Sequence, residues 1–254
     1  MKGIKKVMIT SDYHIPYMDG KAYSAMKSYA KAYKPNHFVI NGDFLDFYSV
    51  SKFDRSPERK ESVQIEVDQG NRILDDIVDM LPKGCKMYYL EGNHETRLKN
   101  YLWRNPELYG MDALKIENLL QLKRRGIKFI GSDPDYWKND NGHLEMGDML
   151  IMHGDNRLNG ASTSKYAGYS SKNTVVTMMS SIAMGHVHRL ALNYLRTPKG
   201  NLVGMEVGML AQHTGTANWA QGFGTFELYR GKSQNHRIHQ INNGKLYVDG
   251  TLYK

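Results

Sequence analysis

Short apolar runs alternate with longer stretches of helical spacing through the first three quarters of the chain, and this alternation limits the possible folds more than any other feature. Residues 7–10, 38–40 and 87–90 carry no interleaved charges, as strands buried on both faces require. Between the first two runs, Ala22, Met26, Tyr29, Ala30 and Tyr33 predict a helix over 22–33 that Pro35 stops. Before the third, Val63, Val67, Ile73, Leu74, Ile77 and Val78 predict a long helix over 58–80, opened at Ser56-Pro57 and ended by Pro82 and Gly84. A short helix is expected over 114–125, closed by Gly126. Strands are expected at 127–130, 144–146, 149–152 and 181–184, with Gly147-Asp148 as a hairpin turn. Residues 161–179 read equally as helix or loop, Gly168 weighing against the helix. Beyond His188 the pattern changes to strands alone, at 202–207, 223–229, 236–241 and 246–248. Strands alternating with helices make βαβ units, so the fold class is α/β.

At 254 residues the chain can bury a sizeable core, and no repeat, low-complexity linker or charge block cuts it. Hydrophobic residues at 41% and charged residues at 24% exclude a disordered tail protein, a collagen-like fibre and a coiled coil. No apolar stretch approaches the roughly 18 to 20 residues of a membrane span. Val7-Met8-Ile9 is too short for a secretory h-region, so a cytoplasmic address is expected. The single cysteine, Cys85, excludes an intrachain disulfide and a thiolate cluster, and any metal must use other ligands. Lys plus Arg is 34 against 26 for Asp plus Glu, a formal charge of +8 that favours phosphate-bearing partners, although basic proteins without a nucleic-acid partner are about as common.

Five polar clusters follow directly on predicted strands: Asp12-Tyr13-His14, Gly42-Asp43-Phe44-Leu45-Asp46, Gly92-Asn93-His94-Glu95, His153-Gly154-Asp155 and Gly185-His186-Val187-His188. In an open α/β sheet the carboxyl ends of the strands form one rim where ligands bind, so clusters distant in sequence gather there. Carboxylate, amide oxygen and imidazole together suit first-row divalent metals rather than calcium or a thiolate site. A single histidine is most simply a hydrogen-bonded or surface residue; five clusters at five strand ends are not so explained.

The order of these motifs resembles the calcineurin-like metallophosphoesterase family, whose pattern runs Asp-x-His, Gly-Asp-x-x-Asp, Gly-Asn-His-Asp/Glu, a lone His and Gly-His-x-His, all present here between residues 12 and 188. The resemblance implies a four-layer α/β/β/α sandwich with mixed sheets, formed by residues 1–254 as a single domain in which strands over 202–248 complete the second sheet. It also implies a dinuclear centre. Asp12, His14 and His188 would hold one metal and Asn93, His153 and His186 the other, with the Asp43 carboxylate bridging both and a metal-bridging hydroxide as nucleophile. His94 matches the family's non-ligand histidine, placed to protonate the leaving oxygen, or else braces the Asn93 loop. Asp46 and Glu95 match acids that orient histidines. Manganese is the ion expected first, and iron, zinc, nickel or cobalt also suit such ligands.

Phe47-Tyr48 after Asp46 and the complete Gly185-His186-Val187-His188 depart from the protein Ser/Thr phosphatases. They resemble the phosphodiesterase side of the family, which includes nucleases, cyclic-nucleotide phosphodiesterases and small bacterial and phage enzymes. The expected substrate is a phosphodiester of DNA, RNA or a nucleotide. The alternatives are a phosphomonoester of a small metabolite and a non-catalytic scaffold. Phe47, Tyr48, Lys52, Phe53 and Arg55, with Arg97, Lys99, Tyr101, Trp103 and Arg104, could hold nucleic acid by stacking and phosphate contacts, although Tyr101 and Trp103 also read as core. Arg97 and Arg55 are the expected substrate contacts, the Arg97 fork matching two phosphate oxygens. The Trp219-containing stretch 212–222 reads as a loop over the site, and His213 within it as a weaker substrate candidate.

Overall fold

Strands β1 (Lys5–Thr10), β2 (His37–Asn41), β3 (Lys86–Leu90) and β4 (Ile127–Ile130) lie side by side and parallel, as their continuous apolar character demands. The structure, a computed structural model, describes residues 3–52, 56, 58–131, 142–155, 160–198, 200–213, 215 and 218–254. Successive side chains of these strands point to opposite faces. Met8, Phe38 and Ile40 enter a core beneath helices α1 (Gly20–Tyr33), α2 (Val63–Met80) and α3 (Glu95–Arg104), while Val7, Ile9 and Val39 face the second sheet.

That second sheet contains β5 (His143–Met146), β6 (Met149–Met152), β7 (Ser181–Met184), β8 (Leu190–Thr197) and β9 (Gly200–Val207), in the order β5-β6-β7-β9-β8. Ile151, Ala183 and Met205 meet the first sheet, and Met152, Ile182 and Met184 turn outward to Val175 of the helix Tyr169–Met178. Helices, sheet, sheet and helix are thus the four layers of an α/β/β/α sandwich, and both sheets mix parallel with antiparallel pairs.

Several local expectations are corrected. Strands β10 (Gly222–Tyr229) and β11 (Lys232–Gln240) extend the first sheet, and β12 (Leu246–Val248) pairs only with β13 (Thr251–Tyr253), so of residues 202–248 only β9 completes the second sheet. The reason is β1, whose fully buried residues need a neighbour on each side: β2 fills one and β10 the other, Phe226 lying opposite Val7. Helix α2 starts at Val63, where the Ser62 side chain accepts the Ile65 N–H, rather than at 58. The stretch 114–125 breaks into single turns because Lys115 is extended, with a ψ of 140°, and Gln121 takes a left-handed φ of 45°. Helix α3 and strand β8 lack a visible pattern in sequence, since α3 buries only Glu95, Leu98 and Leu102 and every residue of β8 is at least partly exposed.

Gly168 does not weaken the helix Tyr169–Met178 but starts it, with a φ of 82°. The cap comes from β9: the buried Glu206 carboxylate accepts the N–H groups of Gly168 at 2.8 Å and Ser171 at 2.9 Å. Removal of two charge-assisted bonds in Glu206→Ala is expected to cost about 2 to 4 kcal/mol, read as a lower midpoint in equilibrium denaturation. An unchanged midpoint would show that the helix needs no such cap.

Candidate metal centre

All five clusters leave the carboxyl ends of their strands on one rim, where β1, β2 and β3 of the first sheet meet β6 and β7 of the second. The two sheets are tied there: Asn41 donates through Nδ2 to Met152 O at 2.8 Å, and its carbonyl accepts from Ser11 Oγ and His153 Nδ1, each at 2.9 Å. Five expected ligands, Asp12, His14, Asp43, His186 and His188, have left-handed φ values of 47° to 63°. Each such non-glycine residue costs about 1 to 2 kcal/mol, and strain of this kind gathers where side-chain placement matters. Close approach also forces glycine: a Cβ on Gly185 would lie 1.9 Å from Ser11 Oγ, and one on Gly92 would lie 2.3 Å from Asp43 Oδ1.

Glu95 holds two of the loops. Its fully buried carboxylate accepts the N–H groups of Asp43, Phe44, Leu45 and Gly92 and the Tyr89 hydroxyl, at 2.8 to 3.1 Å. Burial pushes its pKa up, as does the neighbouring Asp43 charge, and the donors pull against both. The expectation that Glu95 orients a histidine is therefore corrected: a carboxylate saturated by amides and a phenol shapes backbone instead. Asp46 lies between two imidazoles, with Oδ1 3.1 Å from His14 Nδ1 and 2.9 Å from His94 Nδ1.

The two central carboxylates follow one scheme. Asp12 accepts the His186 N–H on Oδ2 at 2.9 Å and turns Oδ1 towards His188 Nε2 at 3.1 Å and His14 Nε2 at 3.7 Å. Asp43 accepts the His94 N–H on Oδ1 at 2.8 Å and turns Oδ2 towards His153 Nε2 at 3.2 Å, His94 Nε2 at 3.7 Å and His14 Nε2 at 3.9 Å. Asn93 Oδ1 lies 3.0 Å from His153 Nε2. Among the described residues, no Lys or Arg forms an ion pair with Asp12 or Asp43. Burial works to raise the pKa of both, but His188 and His14 outweigh it at Asp12, as His153 and His94 do at Asp43, and both stay well below the carboxylate range. In return, carboxylate contacts overcome burial and push His14 and His153 up to about 10.

Around this cluster, Arg97 donates to Asp46 O at 2.8 Å and meets His94 Nε2 at 2.9 Å, so its fork is spent on the histidine rather than held open for phosphate. Arg55, with Phe53, lies outside the described residues. Tyr101 and Trp103 are 36% and 46% exposed, which removes them from the core. Trp219 stands edge-on to His188 with ring centres 4.3 Å apart, and the Ala220 N–H reaches His188 O at 2.8 Å, so part of 212–222 does lie against the site. His213 bonds Trp219 O at 3.1 Å. Asp155, given no role by the sequence, has an oxygen 3.7 Å from His186 Nε2.

Residues 5–203 match the family model for calcineurin-like phosphoesterases. The chain belongs to this family. It is 25% identical to the Gene 54 protein of Mycobacterium phage L5 and 26% identical to that of phage D29, over 266 residues in each case, covering 98% of this chain and 99% of each relative. Among solved structures it resembles vacuolar protein sorting 29 of Cryptosporidium parvum (14% identity, 98% of both chains, TM-score 0.47) and a metallophosphoesterase of Sphaerobacter thermophilus (14% identity, 87% and 83% of the two chains, TM-score 0.44). The family assignment stands on the sequence match.

Calcineurin-like phosphoesterases use divalent metals, and the residues here fit them. Donor atoms of Asp12, His14 and His188 lie within 4.8 Å of one another, as do those of Asp43, His153 and His186. The Nδ1 atoms of His186 and His188 are buried without a partner. His153 Nδ1 faces the Asn41 carbonyl and His14 Nδ1 faces Asp46, so that each ring, once it gives up its second proton, directs an Nε2 lone pair into the cluster.

In this calcineurin-like phosphoesterase without metal, the two raised histidines stabilise the fold fully below their unfolded pKa of about 6.5. That contribution is lost as pH rises through about 10. Chelated protein is therefore expected to lose stability between pH 6.5 and 10 in denaturant titrations. Metal-loaded protein, whose imidazoles must already be neutral, is expected to lose less. Parallel profiles would contradict the assignment of protons to these histidines.

Proposed function

We propose that the protein is a dinuclear metal-dependent phosphodiesterase acting on nucleic acid or nucleotides. The observation that carries this reading is the pair of buried carboxylates, Asp12 and Asp43, surrounded by imidazoles and with no Lys or Arg ion pair among the described residues. Asp12, His14 and His188 would hold one cation and Asn93, His153 and His186 the other, with Asp43 shared. Two such cations, manganese foremost, would supply a water of lowered pKa and neutralise charge on the phosphoryl oxygens.

The chain's own part is positioning and proton transfer. His94 is the general acid for the leaving oxygen: its Nδ1 is fixed by Asp46 Oδ1 at 2.9 Å and Asp46 O at 3.0 Å, so Nε2, 3.7 Å from Asp43 Oδ2, handles the proton. Arg97 donates to Nε2 at 2.9 Å and to Asp46 O at 2.8 Å, which orients the ring at rest, and it must release Nε2 before that atom can carry a proton to the leaving oxygen. A basic chain of charge +8 and the Trp219 ring beside His188 support a nucleic-acid or nucleotide substrate.

The test is hydrolysis of bis-p-nitrophenyl phosphate beside p-nitrophenyl phosphate by chelated protein resupplied with manganese. Faster diester turnover that needs metal is expected; faster monoester turnover would replace the reading with a metabolite phosphatase, and none with either a scaffold. His94→Ala is expected to lose about 100-fold or more on an alkyl ester of poor leaving ability and clearly less on nitrophenyl esters. Equal losses would remove the general-acid role.

A further inference from the structure

We propose that Arg59, clamped between Tyr17 and Tyr48 at the edge of the metal cluster, binds a second phosphate of the substrate, so that the preferred diester lies within a single-stranded polynucleotide. The inference rests on the phosphodiesterase reading and adds a substrate class to it. The Arg59 guanidinium lies over both rings, its central carbon 4.3 Å from the centre of Tyr48 and 4.9 Å from that of Tyr17. An arginine held by its faces keeps its N–H edge available, the geometry that recognises phosphate oxygens. Arg59 is exposed, and among the described residues no carboxylate forms an ion pair with it.

The clamp is built from the same loops as the cluster. Tyr17 donates its N–H to His14 O at 2.6 Å, and its own carbonyl accepts from Gln212 at 2.8 Å. Tyr48 follows Asp46 by two residues, and its hydroxyl accepts the Ser56 N–H at 2.7 Å. The Arg59 N–H in turn reaches Ser56 O at 3.2 Å, which ties its backbone to the Tyr48 ring. Residues 58–62 precede helix α2, which the Ser62 side chain caps. Trp219 beside His188 puts an aromatic face on another flank of the cluster. Aromatic rings with a fixed cation between them hold single strands without regard to sequence, whereas a lone phosphate at the cluster would leave Arg59 unused.

The test compares wild type with Arg59→Ala and Arg59→Lys on bis-p-nitrophenyl phosphate, which has one phosphate, and on a fluorescein-labelled single-stranded DNA dodecamer. The ratio of kcat/KM for the dodecamer to that for the small diester is expected to fall about ten-fold or more in Arg59→Ala, and less in Arg59→Lys, which keeps the charge but not the plane. Dodecamer affinity, measured by anisotropy with chelator present, is expected to fall as well, and the slope of log affinity against log salt to decrease by about 0.7. An unchanged ratio and salt slope in Arg59→Ala, with wild type hydrolysing bis-p-nitrophenyl phosphate, would overturn the second-phosphate site and leave the function standing. Wild type that hydrolyses neither substrate would overturn the function instead, and the anisotropy alone would then decide the role of Arg59.

Discussion

Two carboxylates buried without a lysine or arginine ion pair set the terms for the rest of this molecule. Taking Asp12 and Asp43 out of water costs several kcal/mol each unless opposite charge comes with them. The described residues answer only with imidazoles, whose charge is a proton that a metal can displace. One oxygen of each aspartate is fixed by a backbone N–H and the other points among histidine nitrogens. The unfavourable φ values of Asp12, His14, Asp43, His186 and His188 follow from this arrangement, because several short side chains must converge from different strands within a few residues of the strand ends.

Glu95 shows how the surrounding structure sustains that strain. A single carboxylate gathers the amides of three consecutive residues in the Asp43 loop and that of Gly92 before Asn93, so two ligand loops from neighbouring strands are tied to one group. Asn41 does the same between the sheets, linking β2 to the end of β6. The layers below supply rigidity through apolar packing on both faces of the first sheet.

What was legible in the sequence follows from the range of each interaction. Continuous apolar strands announced the parallel sheet, and a polar cluster immediately after each one announced the rim; both signals are local. The Glu95 carboxylate reaches amides some 50 residues away, and nothing around Glu95 distinguishes that role from orienting a histidine. Glu206 caps a helix from another element, so Gly168 read as a breaker when it is a start. Arg97 looked like a free phosphate fork because its spacing from His94, one helical turn, gives no hint that the two would bind each other. The place of β10 beside β1 depends on which strand edge is left apolar and open, a property of the assembled sheet rather than of either segment. Arg59 had no motif at all; only the convergence of Tyr17 and Tyr48 reveals it.

The most direct measurement is the metal content of purified, manganese-loaded and desalted protein beside Asp43→Asn, by elemental mass spectrometry against protein concentration. A shared carboxylate between two triads of donors predicts about two ions per wild-type chain and at most one in the variant. Two ions retained by Asp43→Asn, or none retained by wild type across several divalent metals, would contradict the account.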